Sequence, residues 1–99
     1  MVLLLAHQNM LLHFQLVDYD LYFYRDRDGK EIDLLIYFNQ TIYPFEIKKT
    51  ASPNKEMIKN FDILALTKKE IGNGGVICLC PDVYPLTEKD KVIPISCIF

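Results

Sequence analysis

Two apolar segments of the chain, residues 31–36 and 43–49, carry charged residues where a buried β-strand would not normally place them. Successive side chains of a strand point to opposite faces, so Glu46 and Lys48 share one face of the second segment. A hairpin that joins the two segments would bring Asp33 to the same place. The sequence therefore predicts a cluster of two acids and an amine on a sheet.

Two carboxylates beside an amine suit a divalent metal ion and a phosphate group. Hard oxygen ligands favour Mg²⁺ or Mn²⁺, so Asp33 and Glu46 are candidate metal ligands. Lys48 is the candidate group that polarises an attacking water or holds a phosphate oxygen. A bound metal would lower the pKa of that water and stabilise the leaving oxygen. The pattern predicts phosphodiester hydrolysis with Asp33, Glu46 and Lys48 as the catalytic residues.

The competing interpretation of the same pattern is a solvated strand face, where alternating charges are common. The residues that flank the acids favour a site instead. Leu34, Leu35, Phe45 and Ile47 are apolar, as in a strand that is covered on both faces. An acid in that setting is costly unless it is paired or bound to a metal.

Length and composition predict one small globular domain in the cytoplasm. The chain has 99 residues, 51% of them hydrophobic and 24% charged, and its formal net charge is −2. With this net charge, the domain as a whole lacks the excess of positive charge that is typical of nucleic-acid-binding proteins. The three cysteines include no pairing typical of a disulfide or zinc framework, and a reduced compartment is expected. The apolar N-terminus lacks the basic start of a signal peptide and is too short for a membrane span.

The predicted elements begin with a helix over residues 2–17, which holds no Gly or Pro and has a broad apolar face. Three strands follow, over 20–27, 31–38 and 41–49. The loops between them are too short for a parallel crossover, so they form an antiparallel meander.

A second helix is expected from Ser52, a good N-cap that is followed by Pro53, with Gly72 or Gly74 at its end. This helix permits a right-handed crossover to a parallel strand over 76–80. The last extended segment is 92–99, where Pro94 restricts it to the edge of the sheet. The fold class is α/β, a mixed sheet with an antiparallel three-strand meander flanked by helices.

The chain resembles the uncharacterised C-terminal domain of a large family of prokaryotic AAA-type ATPases. The residues that carry the resemblance are LYFYRDRDGKEIDLLI at 21–36 and YPFEIKKTASP at 43–53, with VIPIS at 92–96 near the end. That domain is similar to the PD-(D/E)xK restriction-endonuclease-like fold. The resemblance implies that Asp33 is the first metal-binding acid, Glu46 the second acid and Lys48 the lysine. It further implies that the backbone carbonyl of Ile47 is a metal ligand in active members.

The resemblance predicts a single nuclease-like domain over residues 1–99, with the family-like core at 20–99. Two features depart from the family pattern. No Gly-x-x-x-x-Gly-Lys step occurs, so the phosphate-binding loop is absent and ATP is not expected as a partner. Residues 1–17, the atypical N-terminal helix, contain no Asp or Glu, whereas the family's first helix usually offers a glutamate to the site.

Basic residues beside the two segments are candidate nucleic-acid contacts, because a local patch could hold the phosphates of DNA. They are Arg25, Arg27, Lys30 and Lys49. The alternative is an ordinary solvated charge run.

Two functional hypotheses remain from the sequence. The first is a Mg²⁺- or Mn²⁺-dependent nuclease-like domain that binds or cleaves DNA. The second is a non-catalytic interaction module, a remnant of an ATPase C-terminal domain that pairs with itself or with another protein.

Overall fold

The computed structural model describes the backbone of residues 10–15 and 20–97 and the side chains of residues 20–97. The described elements are β1 (Met10–Gln15), β2 (Asp20–Arg25), β3 (Glu31–Phe38), β4 (Thr41–Ile47), a 3₁₀ helix (Lys55–Thr67), β5 (Glu70–Ile71), β6 (Gly75–Cys78), β7 (Tyr84–Pro85), β8 (Lys91–Pro94) and a short 3₁₀ turn (Ile95–Cys97). The long 3₁₀ helix is called the crossover helix below. None of the helices in this described part of the chain has the length and apolar character to cross a bilayer.

The strands form one mixed sheet, in agreement with the predicted α/β class. Its order is β1-β2-β3-β4-β6-β8-β7, and β5 pairs with β4 beside β6. Strands β1 to β4 form an antiparallel meander. Strand β6 is parallel to β4, as the long connection through the crossover helix allows, and it is also parallel to β8.

The prediction of a helix over residues 2–17 is wrong for residues 10–15, which form strand β1. This strand pairs antiparallel with β2 from Met10 opposite Arg25 to Gln15 opposite Asp20. Apolar residues fit a strand as well as a helix. Here the backbone groups at the outer edge of β2 are the hydrogen-bond partners of β1. The meander thus has four strands and not three. The remainder of the predicted helix lies outside the described residues.

The crossover helix begins and ends at other residues than predicted. Asn54 is the N-cap in place of Ser52, and its side chain accepts the N–H of Glu56 at 3.1 Å. Lys68 ends the helix in the left-handed conformation with φ 56°, before either predicted glycine is reached. The helix buries Ile58 and Leu64 against the sheet.

A β-bulge interrupts the pairing of β2 with β3. The pairs Tyr22–Leu35 and Tyr24–Ile32 flank it, so one residue of β2 faces two residues of β3, and Asp33 is one of them. As a result Ile32 and Leu35, three positions apart, are both buried in the same core cluster. Strict alternation along the strand would have placed them on opposite faces.

The core lies between the sheet and the crossover helix, in two clusters of apolar residues. The first contains Tyr22, Tyr24, Ile32, Leu35, Tyr37, Ile42 and Leu64, and the second contains Ile58, Val76, Cys78, Cys80 and Val92. The cysteines are free, and Cys78 and Cys80 are buried. Burial raises the pKa of the Cys80 thiol to about 11, so this thiol stays protonated at neutral pH.

Pro44 is buried within β4, where a proline would normally cost a hydrogen bond of the sheet. Two neighbouring contacts show which way its nitrogen faces. The Ile42 carbonyl accepts the Gly72 N–H at 2.8 Å, and the Lys48 N–H donates to the Ile77 carbonyl at 2.9 Å. Pro44 therefore turns its nitrogen to the same side, into the gap between β5 and β6, where no paired strand requires its missing N–H.

Candidate functional site

A cleft of about 430 Å³ opens between the sheet and the first half of the crossover helix. Three elements form its walls: the turn between β2 and β3, the adjoining ends of β3 and β4, and the start of the crossover helix. It is lined by Gly29, Glu31, Asp33, Glu46, Lys48, Asn54, Glu56, Met57, Lys59 and Asn60. The structure thus brings the three predicted catalytic residues, Asp33, Glu46 and Lys48, into one cleft.

Asp33 lies in the cleft because the backbone pairing of β3 with β4 ends beside it. The ladder runs from Phe38 opposite Thr41 to Leu34 opposite Phe45. One step further, the Asp33 carboxylate replaces a backbone acceptor, and its Oδ2 accepts the Ile47 N–H at 2.9 Å. This bond fixes the orientation of the carboxylate, and the β-bulge at Asp33 adds local bending of β3.

Glu46 is the buried acid of the cleft, and only 3% of its surface is exposed. It belongs to the inward-facing positions of β4, which otherwise hold Ile42 and Pro44. Burial raises the pKa of Glu46 to about 8. A hydrogen bond with the Asp33 carboxyl and repulsion from its charge add to this rise, and Lys48 opposes it. At neutral pH Glu46 therefore holds a proton for most of the time.

Lys48 stands at the mouth of the cleft, just beyond the end of β4. Its Nζ lies 3.7 Å from Glu46 Oε2, and 42% of its side chain is exposed. Its backbone is held by the hydrogen bond to Ile77 on β6. The backbone of Lys48 is therefore fixed, while its ammonium group is in contact with both the buried Glu46 and solvent.

The turn between β2 and β3 forms one rim of the cleft, and Asp26 organises it. Asp26 Oδ1 accepts the N–H groups of Asp28 and Lys30, and Oδ2 accepts the Tyr24 hydroxyl at 3.0 Å. Gly29, at φ +81°, takes the left-handed conformation that the turn requires. These bonds hold the tip of the hairpin in place.

The four predicted nucleic-acid contacts lie around the cleft and not within it. Arg25 forms an ion pair with Glu31, with 3.3 Å between Nε and Oε1. Arg27, Lys30 and Lys49 are exposed. Arg27 and Lys30 belong to the hairpin rim, and Lys49 follows directly after Lys48.

The sequence analysis did not predict that the crossover helix forms one wall of the cleft. Glu56 and Lys59 form an ion pair of 2.7 Å there. Asn60 donates to the Glu31 carbonyl at 3.1 Å and so ties the helix to the start of β3. A polar face at the beginning of this helix was visible in the sequence, but nothing in it indicated which strand that face would meet.

The residues that could hold a metal are the Asp33 and Glu46 carboxylates, with the Ile47 backbone carbonyl as the predicted third ligand. Among the side chains that the structure describes, those of residues 20–97, no group of three His, Cys, Asp or Glu has a geometry suited to a metal ion. Ile47 is 51% exposed at the end of β4. The Asp33 and Glu46 carboxylates thus lie close together in the cleft, and solvent can reach them through its opening.

Fold and cleft together define a small mixed α/β domain with a buried acid in a carboxylate-rich cleft. The chain belongs to a family described as a domain of unknown function, DUF4143, whose model matches residues 5–98. Comparison with curated proteins gives no match, and comparison with solved structures gives none either. The family description carries no activity, so the function has to be argued from the cleft itself.

Proposed function

We propose that this domain has a restriction-endonuclease-like fold and hydrolyses phosphodiester bonds in DNA with Mg²⁺ or Mn²⁺ held by Asp33 and Glu46. The observation that carries the proposal is the buried Glu46, which shares one cleft with Asp33 and Lys48. A buried carboxyl next to a second carboxyl is costly, and such an arrangement is retained where it has a use.

The residues present fit a divalent metal. Mg²⁺ commonly takes one or two carboxylates from the protein and completes its coordination with water and substrate phosphate oxygens. When Glu46 is ionised, Asp33 and Glu46 present two negative charges against the single positive charge of Lys48, and a cation would relieve the repulsion between them. A metal bound there would lower the pKa of a water molecule and stabilise charge on the leaving oxygen.

The chain's own residues have distinct roles in this proposal. Asp33 presents one oxygen to the cleft while the Ile47 N–H holds the other in place. Lys48 turns from Glu46 to a phosphate oxygen or to the attacking water, since its partly exposed side chain leaves room for that movement. Glu46 gives up its proton when it binds the cation, because only the carboxylate is a ligand.

The basic residues around the cleft are assigned to the DNA backbone. Arg27, Lys30 and Lys49 are exposed at the rim and available to phosphates. Arg25 has a different role, because its ion pair neutralises Glu31, an acid that lines the cleft. This offsets part of the negative charge that an approaching phosphate would meet.

A cleavage assay on supercoiled plasmid tests the proposal. We expect the wild-type domain to nick the plasmid with Mn²⁺ or Mg²⁺ and to stop when a chelator is added. Asp33→Asn should lower the rate by roughly 100-fold or more, because a metal ligand is lost. Asp82→Asn, which makes the same change at an exposed position outside the cleft, should act like the wild type.

Cleavage that persists in chelator, or that is equal in Asp33→Asn and the wild type, would contradict the proposal and indicate a contaminating nuclease. Absence of cleavage by the wild type on every DNA form would favour the second candidate, a non-catalytic interaction module. One observation favours that candidate: Glu46 already contacts both Asp33 and Lys48, and Asp33 also accepts the Ile47 N–H. The cluster could therefore be a structural polar network.

A further inference from the structure

Cys78 and Cys80 bring two thiols into direct contact in the core beside the crossover helix. The Cys78 thiol donates a hydrogen bond to Cys80 Sγ at 2.8 Å, and both side chains are buried. Neither cysteine lines the cleft that contains Asp33, Glu46 and Lys48. The pair therefore consists of two nucleophilic groups that the proposed function does not use.

The backbone at the end of β6 turns the two thiols to the same side. Cys78 is the last residue of β6, and the chain bends at the next residue, Leu79. Residues two apart in a straight strand have Cα atoms about 6.6 Å apart, which is near the upper limit of about 6.8 Å for a disulfide. The 2.8 Å contact shows that the side chains converge here, although their spacing in the sequence is not typical of a disulfide.

We propose that Cys78 and Cys80 are a site of reversible oxidation, at which a peroxide converts the two thiols into an intrachain disulfide. A disulfide bond is about 2.05 Å long, so a small rotation of the side chains brings the two sulfur atoms to bonding distance. A disulfide in this position is independent of metal binding and of DNA cleavage.

The oxidation takes place in two steps. The Cys80 thiolate attacks one oxygen of hydrogen peroxide, the O–O bond breaks, and a sulfenic acid forms while the leaving hydroxide takes up the thiol proton as water. The Cys78 sulfur then attacks the sulfenic sulfur, the S–S bond forms, and a second water leaves. Two thiols are thus oxidised, and one peroxide is reduced to two waters. A small dithiol reverses the reaction by exchange and is itself oxidised.

The surroundings of Cys80 make the first step slow and the second step fast. Cys80 is 5% exposed and lies between exposed Leu79 and Pro81, so a molecule as small as peroxide can approach from that side. Burial, and then the hydrogen bond from Cys78, raise the pKa of the Cys80 thiol to about 11, which leaves little thiolate at neutral pH. The partner thiol is already in contact, so the disulfide forms before a second peroxide can react.

The cysteine pair lies in a segment that holds the end of β4. The Ile77 carbonyl accepts the Lys48 N–H, and the Leu79 N–H donates to the Thr50 carbonyl, both at 2.9 Å. A disulfide between the residues on either side of Leu79 closes a small ring around it. The bond would therefore fix the bend from which this contact to Thr50 is made.

Mass spectrometry of the intact, folded chain after prolonged treatment with millimolar hydrogen peroxide in chelator tests the proposal. The variant Cys97→Ser is used, because the exposed Cys97 can link two chains. We expect this variant to lose two hydrogen atoms in mass and to retain no thiol that iodoacetamide modifies after unfolding. Dithiothreitol should restore both thiols. Oxidation of Cys97 in the wild type shows that the peroxide is active.

Cys78→Ala and Cys80→Ala, each combined with Cys97→Ser, are the matched controls because each leaves one thiol of the pair. The remaining thiol should take up oxygen as a sulfinic acid, since its partner is absent. Circular dichroism checks that these variants are folded. In Cys97→Ser itself, two thiols that both stay modifiable, or that take up oxygen instead of losing hydrogen, would overturn the proposal and mean that the pair serves only in core packing.

Discussion

Replacement of Glu46 by glutamine is expected to stabilise the metal-free domain at alkaline pH, by up to about 5 kcal/mol. The reason is that burial raises the pKa of Glu46 from its ordinary value of 4.5 to about 8. Each pKa unit corresponds to about 1.4 kcal/mol between the folded and unfolded states. Glutamine has a similar shape and never ionises, so it avoids the cost of a buried charge.

The raised pKa of Glu46 determines how the free energy of unfolding changes with pH. Below about pH 4.5 the carboxyl is protonated in both states, and the wild type has the full stability that this group allows. As the pH rises toward 8, the unfolded chain releases its proton and the folded chain retains it. The free energy of unfolding of the wild type therefore falls over this range and levels off above about pH 8.

Urea unfolding in chelator at about pH 5, 7 and 9 measures this difference. The Glu46→Gln variant should be close to the wild type at about pH 5 and clearly more stable at about pH 9. Glu56→Gln is the matched control, because Glu56 lines the same cleft with a side chain that is 74% exposed. An equal fall in stability of the wild type and Glu46→Gln with rising pH would show that Glu46 is not the group responsible.

Replacement of Lys48 by alanine is expected to lower kcat for DNA cleavage by about 100- to 1,000-fold, the usual loss when one preorganised charge at a reacting centre is removed. The affinity for metal should change little, because Lys48 is not a ligand. Stability near neutral pH should also be nearly unchanged, since Glu46 is mostly protonated there and its 3.7 Å contact with Lys48 contributes little.

Lys49→Ala is the matched control for Lys48→Ala, because it removes the same charge one residue further along the chain. Lys49 is assigned to the DNA backbone, so its loss should raise KM and weaken the salt dependence while kcat stays nearly the same. Equal kcat values for Lys48→Ala and the wild type would contradict the assigned role of Lys48.

The strands of the meander could be predicted from the sequence because each combines apolar residues with a short polar turn. The predictions for 31–38 and for the start at residue 41 agree with the structure. Strand β1 could not be predicted, because a run of apolar residues without Gly or Pro is compatible with both helix and strand. What decided between them was the exposed edge of β2, a neighbour that the local sequence does not reveal.

The convergence of Asp33, Glu46 and Lys48 followed from alternation along the strands and from the expected hairpin. Two features of the site did not follow from that pattern. The β-bulge at Asp33 depends on the register of β2 against β3, which periodicity does not determine. The second wall of the cleft depends on where the crossover helix packs, which Asn60 fixes through the Glu31 carbonyl.

Titration of the domain with Mn²⁺ by isothermal calorimetry, for the wild type and for Asp33→Asn, tests whether Asp33 and Glu46 form a metal site. We expect saturable binding by the wild type at about one ion per chain, with uptake of the released proton by the buffer. Asp33→Asn should lose this binding, and Asp82→Asn should retain it. Absence of binding in the wild type, or equal binding in the wild type and Asp33→Asn, would contradict a metal site between Asp33 and Glu46.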